Sequence, residues 1–418
     1  MRGISYCTIV AVLLCVALAA PHDGDHAGHT EDHHHHLHHV AGEAHPQHSH
    51  GDNEACHKLS PHNADFAFTL YRSLSKANTE NMNIFFSPLG IATSLAMLSL
   101  GAKGDTHSQL YSALGYGAFT PEQVNDAYEH LNHMFGHSGE AMQLDMGNAL
   151  ALRDGFKPLA KFLEDAKHFY ASEGFTVDFK NPAEAAAEIN KFIAKKTQDK
   201  ITDIVKDLDP DTAMVLINYI FFRGKWDKPF DATLTHKADF KVDMMKRTGR
   251  YELYQDQDNF TTVVMLPYKG NSSMMVVLPN DGKMEHVEAF INKDYLKHVH
   301  EHLFRTNVDI FMPKFSTSTS YSLGEHLKGM GVVSAFGDTA DFSAISEDTK
   351  LKVSKVTHKA VLSVDEKGTE AAAVTTIEIM PMSLPDTIML NRPFLLFILE
   401  DSTKSIVFMG KVTNPSPK

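Results

Sequence analysis

The chain has 418 residues, of which 43% are hydrophobic, enough to build a large core. Its formal net charge of −13 at pH 7 argues against nucleic acid or an anionic membrane surface as a partner. Length alone allows two or three domains, but no Gly/Ser/Pro-rich linker divides the chain after about residue 60.

The first residues read as a leader. Arg2 supplies a positive end, residues 9–18 an apolar centre, and Ala17-Leu18-Ala19 a small-residue cleavage motif. This is the pattern of a signal peptide over residues 1–19, and the protein is expected to be secreted to the extracellular space. No later segment is long and apolar enough to span a bilayer. Cleavage removes Cys7 and Cys15 and leaves Cys56, so an internal disulfide framework is excluded and Cys56 reads as an incidental surface thiol. Residues 20–56 are polar, return repeatedly to histidine (His33 to His36 in one run), and hold too few large apolar residues to fold alone. Clustered imidazoles offer metal binding or proton uptake near about pH 6; a solvated tail of biased composition is the other reading. No ligand spacing singles out a metal site, and no cofactor is expected.

From residue 57 onward the sequence is globular. Ser60-Pro61 reads as an N-cap with proline at the first helical position, followed by a stripe of Phe66, Leu70 and Leu74. Thr120-Pro121 with Gln123, and Asn181-Pro182 with Glu184, repeat that start with capping-box partners. Residues 158–170 form a further amphipathic helix through Leu159, Phe162, Leu163, Ala166 and Phe169. The helix opening at Pro121 is acidic rather than basic, so no heparin-type polyanion site is expected there. After residue 210 come long β-rich runs at 214–222, 261–266, 274–278, 394–399 and 405–409. The last two are near-continuous apolar stretches, as for strands covered on both faces. Helices early and strands late indicate an α+β domain. Asn259-Phe260-Thr261 and Asn271-Ser272-Ser273 are glycosylation sequons, and Asn271, in the turn-like YKGNSS, is the better candidate.

The most informative stretch is DEKGTEAAAVTTIEIMPMSLP, residues 365–385. It turns at Gly368, and its two flanking prolines around Met382-Ser383 impose an extended, non-helical backbone. Thr369, Ala371, Ala373, Thr375 and Ile377 fall on one face of an extended segment, and no charge interrupts them. Glu370, Ala372, Val374, Thr376 and Glu378 fall on the other. Such alternation suits a half-buried strand. One segment therefore reads both as an exposed bait and as a strand waiting for a sheet. No G-x-S-x-G elbow, H-E-x-x-H or P-loop is present, so the chain reads as something that is cut and not as an enzyme.

Four motifs, in order, carry a resemblance to a known family: NIFFSP (83–88), INYIFFRGKW (217–226), VSKVTHKAVLSVDEKGTEAA (353–372) and LNRPFLLFI (390–398). With these the chain resembles the serpins over nearly all of its length after about residue 56. The resemblance implies a domain over 57–418 with three β-sheets, about nine helices and an exposed reactive-centre loop at about 366–385. It implies cleavage of the Met382–Ser383 bond by serine proteases with elastase-like or chymotrypsin-like pockets, and a hinge of Glu366, Gly368, Thr369, Ala371, Ala372, Ala373 and Val374. Trp226 and Lys314 resemble residues where the loop first joins the sheet. Ser87, Asn218 and His358 resemble a polar cluster beneath it. A monomer is expected; a non-inhibitory carrier or binding protein is the alternative. Two departures stand out. Gly90 replaces the second serine of the SPxSI motif, loosening the polar cluster, and 240–245 is about eight residues shorter than in relatives.

Overall fold

The computed structural model describes residues 53–78, 82–136, 142–238, 242–347, 350–368 and 385–416. The leader, nearly all of the histidine-rich segment, and Thr369, Ala371, Ala372, Ala373, Val374, Met382 and Ser383 lie outside the described residues.

Among the described residues the helices are α1 (Asn53–Ala77), α2 (Pro88–Leu100), α3 (Gly104–Leu114), α4 (Pro121–Gly136), α5 (Ala160–Tyr170), α6 (Pro182–Lys196), α7 (Met284–Phe290), α8 (Lys293–His302) and α9 (Gly324–Gly329). Strands of the first half are β1 (Ile84–Phe86), β2 (Met142–Arg153), β3 (Glu173–Val177), β4 (Met214–Gly224), β5 (His236–Lys237) and β6 (Asp243–Asp256). Those of the second are β7 (Thr261–Pro267), β8 (Ser272–Pro279), β9 (Phe304–Pro313), β10 (Phe315–Ser322), β11 (Lys355–Val364), β12 (Asp386–Met389), β13 (Phe394–Glu400) and β14 (Ile406–Val412).

One sheet has five strands in the order β10-β11-β4-β2-β3. The other runs β1-β14-β13-β8-β7-β6-β9-β12, with β5 paired to β6. Long β6 belongs to two wings of this sheet. Its length from Met244 to Leu253 pairs with β9, whereas Glu252 to Asp256 pairs with β7. The three expected sheets are thus the five-stranded one and the two wings that share β6. Of the segment 240–245, Phe240 and Lys241 lie outside the described residues; the Val242 carbonyl accepts a hydrogen bond from the Ala238 amide, and β5 pairs with Asp243 and Met244 of β6.

Strands β8, β13 and β14 are buried at every position, in keeping with their unbroken apolar sequences. Helix α2 is apolar all round and buried through Ser99, because it packs on β2 and β4 from one sheet and β14 from the other. Alternate residues of β4 face two cores: Met214, Leu216, Ile220 and Phe222 the main one, and Val215, Ile217 and Tyr219 a smaller one under α6.

Local readings hold where side chains cap as the sequence suggests. The Thr120 and Gln123 side chains bond each other's amides at 3.3 and 3.0 Å, a complete capping box. At α6, however, the Asn181 side chain makes no cap bond and donates instead to Asp178. The start assigned to Ser60-Pro61 is incorrect. Helix α1 begins at Asn53 and carries Pro61 inside it, so residues 53–56 belong to the fold and not to the tail. Tertiary packing overrides the local signal, since Cys56 and Leu59 are buried in the main core. Cys56 is therefore no surface thiol. Its Sγ lies 3.2 Å from His130 Nδ1, and burial raises its pKa.

Candidate functional site

The site is the upper end of the seam between β4 and β11, the parallel pair at the middle of the five-stranded sheet. Pairing runs from Lys355↔Val215 to Val361↔Phe221 and stops. Both strands continue, β11 to Val364 against β10 alone and β4 to Gly224 against β2 alone. The seam is unpaired over those last residues.

The chain reverses directly above this opening. Asp365 and Gly368 exchange backbone hydrogen bonds at 3.2 Å in both directions, and Gly368 forms an antiparallel bridge with Lys225 just past β4. Gly368 has φ +99, and a Cβ on it would meet Gly224 O at 2.3 Å and Trp226 N at 2.6 Å. Only glycine fits this turn.

Glu366 is anchored beside it. Lys314 Nζ reaches Glu366 Oε2 at 3.0 Å, the Thr235 hydroxyl donates to Oε1 at 2.9 Å, and the Phe230 amide donates to the Glu366 carbonyl at 2.7 Å. Burial would raise the Glu366 pKa, but the Lys314 bond, with backbone and Thr235 donors, outweighs it and holds the carboxyl below its usual range. Trp226 is buried, lies flat on Tyr268 at 4.4 Å and 7°, and donates from Nε1 to the Asp365 carbonyl at 3.0 Å.

Lower down the seam a polar row crosses three strands in register. His358 of β11 is opposite Asn218 of β4, which is opposite Asn148 of β2. All three take core-facing positions, between apolar neighbours such as Leu216, Ile220, Val356 and Ala360. Unpaired polar atoms there would be costly, and the row is linked end to end. His358 Nδ1 donates to Asn218 Oδ1 at 2.6 Å, and His358 Nε2 accepts from the Ser87 amide at 3.0 Å. Asn218 Nδ2 donates to Asn148 Oδ1 at 2.9 Å, which also accepts from the Ser94 hydroxyl. Ser87 Oγ, the N-cap of α2, accepts from the Gly90 amide and donates to the Val407 carbonyl. This pattern fixes a neutral imidazole, and burial pushes the His358 pKa down to about 3. Gly90 leaves no gap in the cluster: a Cβ there would meet Asn218 Oδ1 at 2.8 Å and Ser87 Oγ at 3.1 Å.

Glu366, Gly368, Trp226 and Lys314 thus meet at the open end, and Ser87, Asn218 and His358 along the seam. Sequence reasoning missed Asn148, Ser94, Thr235 and Tyr268. Asn148 carries the clearest signal, an amide inside the small and apolar run MGNALAL. Of the two sequons, Asn271 is exposed in the turn between β7 and β8 and Asn259 is half-buried; both amide nitrogens donate to carboxylates, Asn271 to Glu400 and Asn259 to Asp256.

The family model described as serpin (serine protease inhibitor) matches residues 61–415. An alpha-1-antitrypsin homolog of Cyprinus carpio is 60% identical over 353 residues, spanning 82% of this chain and 95% of that one. Alpha-1-antiproteinase 2 of Equus caballus is 44% identical over 373 residues, 87% of this chain and 88% of its own. Among solved structures, human thyroxine-binding globulin complexed with thyroxine matches with a TM-score of 0.83 at 40% identity, covering 87% of this chain and 100% of that one. Human glycosylated kallistatin matches with a TM-score of 0.80 at 35% identity, covering 87% and 100%. By sequence and by fold, the chain belongs to the serpin family.

Proposed function

We propose that the chain is a secreted serine-protease inhibitor acting as a suicide substrate for elastase-like or chymotrypsin-like enzymes. The observation that carries this reading is the parallel β4–β11 seam with the chain already reversed at Gly368 above it. Because β4 and β11 run the same way, a segment descending from Gly368 is antiparallel to both. Insertion would replace one parallel ladder by two antiparallel ones, the better-aligned pairing. While the loop is intact, its far end is tied to β12, whose four residues pair with β9. Cutting frees it. The uncut fold is therefore held in place by kinetics, with a strand's worth of burial and hydrogen bonds withheld.

In this reading the protease serine attacks the Met382 carbonyl, the Ser383 amine leaves, and the enzyme stays esterified to Met382. Thr369, Ala371, Ala372, Ala373 and Val374 are small or β-branched and enter first. No charge on the inward face has to be desolvated. Carrying the enzyme along distorts its triad and oxyanion hole, which stalls deacylation. Met382, unbranched and uncharged, suits an apolar primary pocket; an acidic one would lack its cation. The inhibitor works as a monomer, outside the cell, without cofactor or polyanion. Incubation with neutrophil elastase tests it: an SDS-stable complex near the summed mass supports inhibition, and clean cleavage without complex refutes it.

A specific cavity favours a second reading, a small-molecule carrier. Between α1, α8 and the β13–β14 end lies a space of about 420 Å³, with Pro61, Leu296, Leu399 and Ile406 as apolar lining and Lys293, Lys297 and Lys404 at its polar side. His300 Nδ1 is paired with the Leu296 carbonyl, and its buried Nε2 has no partner among the described residues. Saturable binding of an amphipathic aryl anion, lost in Leu296→Arg, would support this reading. Unsaturable binding would dismiss it.

A further inference from the structure

Helix α8 reads KDYLKHVHEH, and its histidines divide between two sides. His300 lines the cavity just described. His298 and His302 stand one turn apart on another face, where residues four apart lie one above the other. Their rings are 4.0 Å apart between centroids, with 34° between planes. Tyr254 of β6 joins them: its ring is 5.7 Å from His298 and 5.5 Å from His302, and its hydroxyl is 3.1 Å from His298 Nε2. His302 is exposed and His298 half-buried, so solvent reaches the group. None of the three takes part in the seam, the hinge or the cavity.

The hydrogen bonding sets the tautomer of one ring. His302 Nδ1 lies 2.7 Å from the His298 carbonyl oxygen, which only accepts. The proton therefore sits on Nδ1, and Nε2 presents a lone pair. A ring nitrogen bonded to a backbone carbonyl, with the other nitrogen bare, is the arrangement of a metal-ligating histidine.

We propose that His298 and His302 form a two-imidazole site for a borderline divalent cation of the nickel(II), copper(II) and zinc(II) class. These ions favour imidazole nitrogen, whereas calcium and magnesium want oxygen. Metal–nitrogen bonds of about 2.0–2.1 Å put two neighbouring donors about 3 Å apart. Rings already 4.0 Å apart reach that separation by side-chain rotation. The Tyr254 hydroxyl gives up His298 Nε2 to the ion, and water fills the remaining positions. No group of three or more His, Cys, Asp and Glu among the described residues is arranged to hold an ion, so this pair forms an open site. Its two ligands are one helical turn apart, so the ion binds the folded helix in preference to the unfolded chain.

That preference supplies the test. Further histidines between residues 22 and 57 make total metal uptake uninformative, but stability linkage reads this site directly. Urea unfolding of the full-length chain is measured in EDTA and in nickel(II), for wild type, His298→Ala, His302→Ala and His300→Ala. At a hundredfold excess over the dissociation constant, nickel(II) is expected to raise the folded-to-unfolded ratio about 100-fold in wild type and His300→Ala. Neither His298→Ala nor His302→Ala should respond, each compared with itself in EDTA. A response kept in both of those variants, or absent from wild type, would overturn the proposal.

Discussion

His358 and Asn218 are joined by a 2.6 Å hydrogen bond across the parallel β4–β11 seam, which the proposed insertion would have to part. Both residues are buried, so under that proposal opening the seam breaks a buried polar bond, and the row would act as a latch as well as part of the core.

The latch has a pH dependence. Above about pH 6.5 the imidazole is neutral in both folded and unfolded chains. Below it the unfolded chain takes up a proton that the buried ring, with its pKa at about 3, refuses. Stability from this group is thus fully present above pH 6.5 and falls as pH drops toward 3, by up to about 1.4 kcal/mol per unit. Urea midpoints at several pH values between 6.5 and 5 should slope more steeply for wild type than for His358→Gln. Equal slopes would remove His358 from the account.

At the top of the seam, Glu366→Lys would set a second cation against Lys314 and strip the acceptor from Thr235. Lys314 is half exposed, so the pair itself contributes about 1 kcal/mol or less. The larger effect is on where the hinge sits. Mild heating followed by native gels should show ladders of loop–sheet polymers in the variant at temperatures where wild type stays monomeric.

Gly368→Ala should lower stability by about 2 kcal/mol or more, from the left-handed backbone together with the collision against Gly224 O. The single tryptophan, Trp226, lies beside this turn, so its fluorescence reports the change locally. An alanine variant with an unchanged urea midpoint would mean the turn is not held as described.

For Met382, the proposed anchor, oxidation to the sulfoxide makes the side chain polar and should slow association with elastase. Met382→Arg should move inhibition toward trypsin-like enzymes. Association rates measured for both protease classes check each outcome.

Much of this was legible in the sequence. The apolar runs of β13 and β14, the Thr120–Gln123 capping box and the turn at Gly368 follow from local pattern, because each depends on residues close together in the chain. What was missed depends on partners far away. Asn148 matters only because the register brings it opposite Asn218, 70 positions later, and Tyr268 only because Trp226 stacks on it. The false start at Ser60-Pro61 has the same origin: local proline chemistry favours a helix beginning there, and burial of Cys56 and Leu59 in the core carries the helix back through it.

The central claim is that the uncut protein withholds a strand. Thermal unfolding of the full-length chain, before and after nicking at Met382–Ser383, measures it most directly. If the loop inserts, the nicked form should melt far above the intact one. Coincident melting curves would contradict the account.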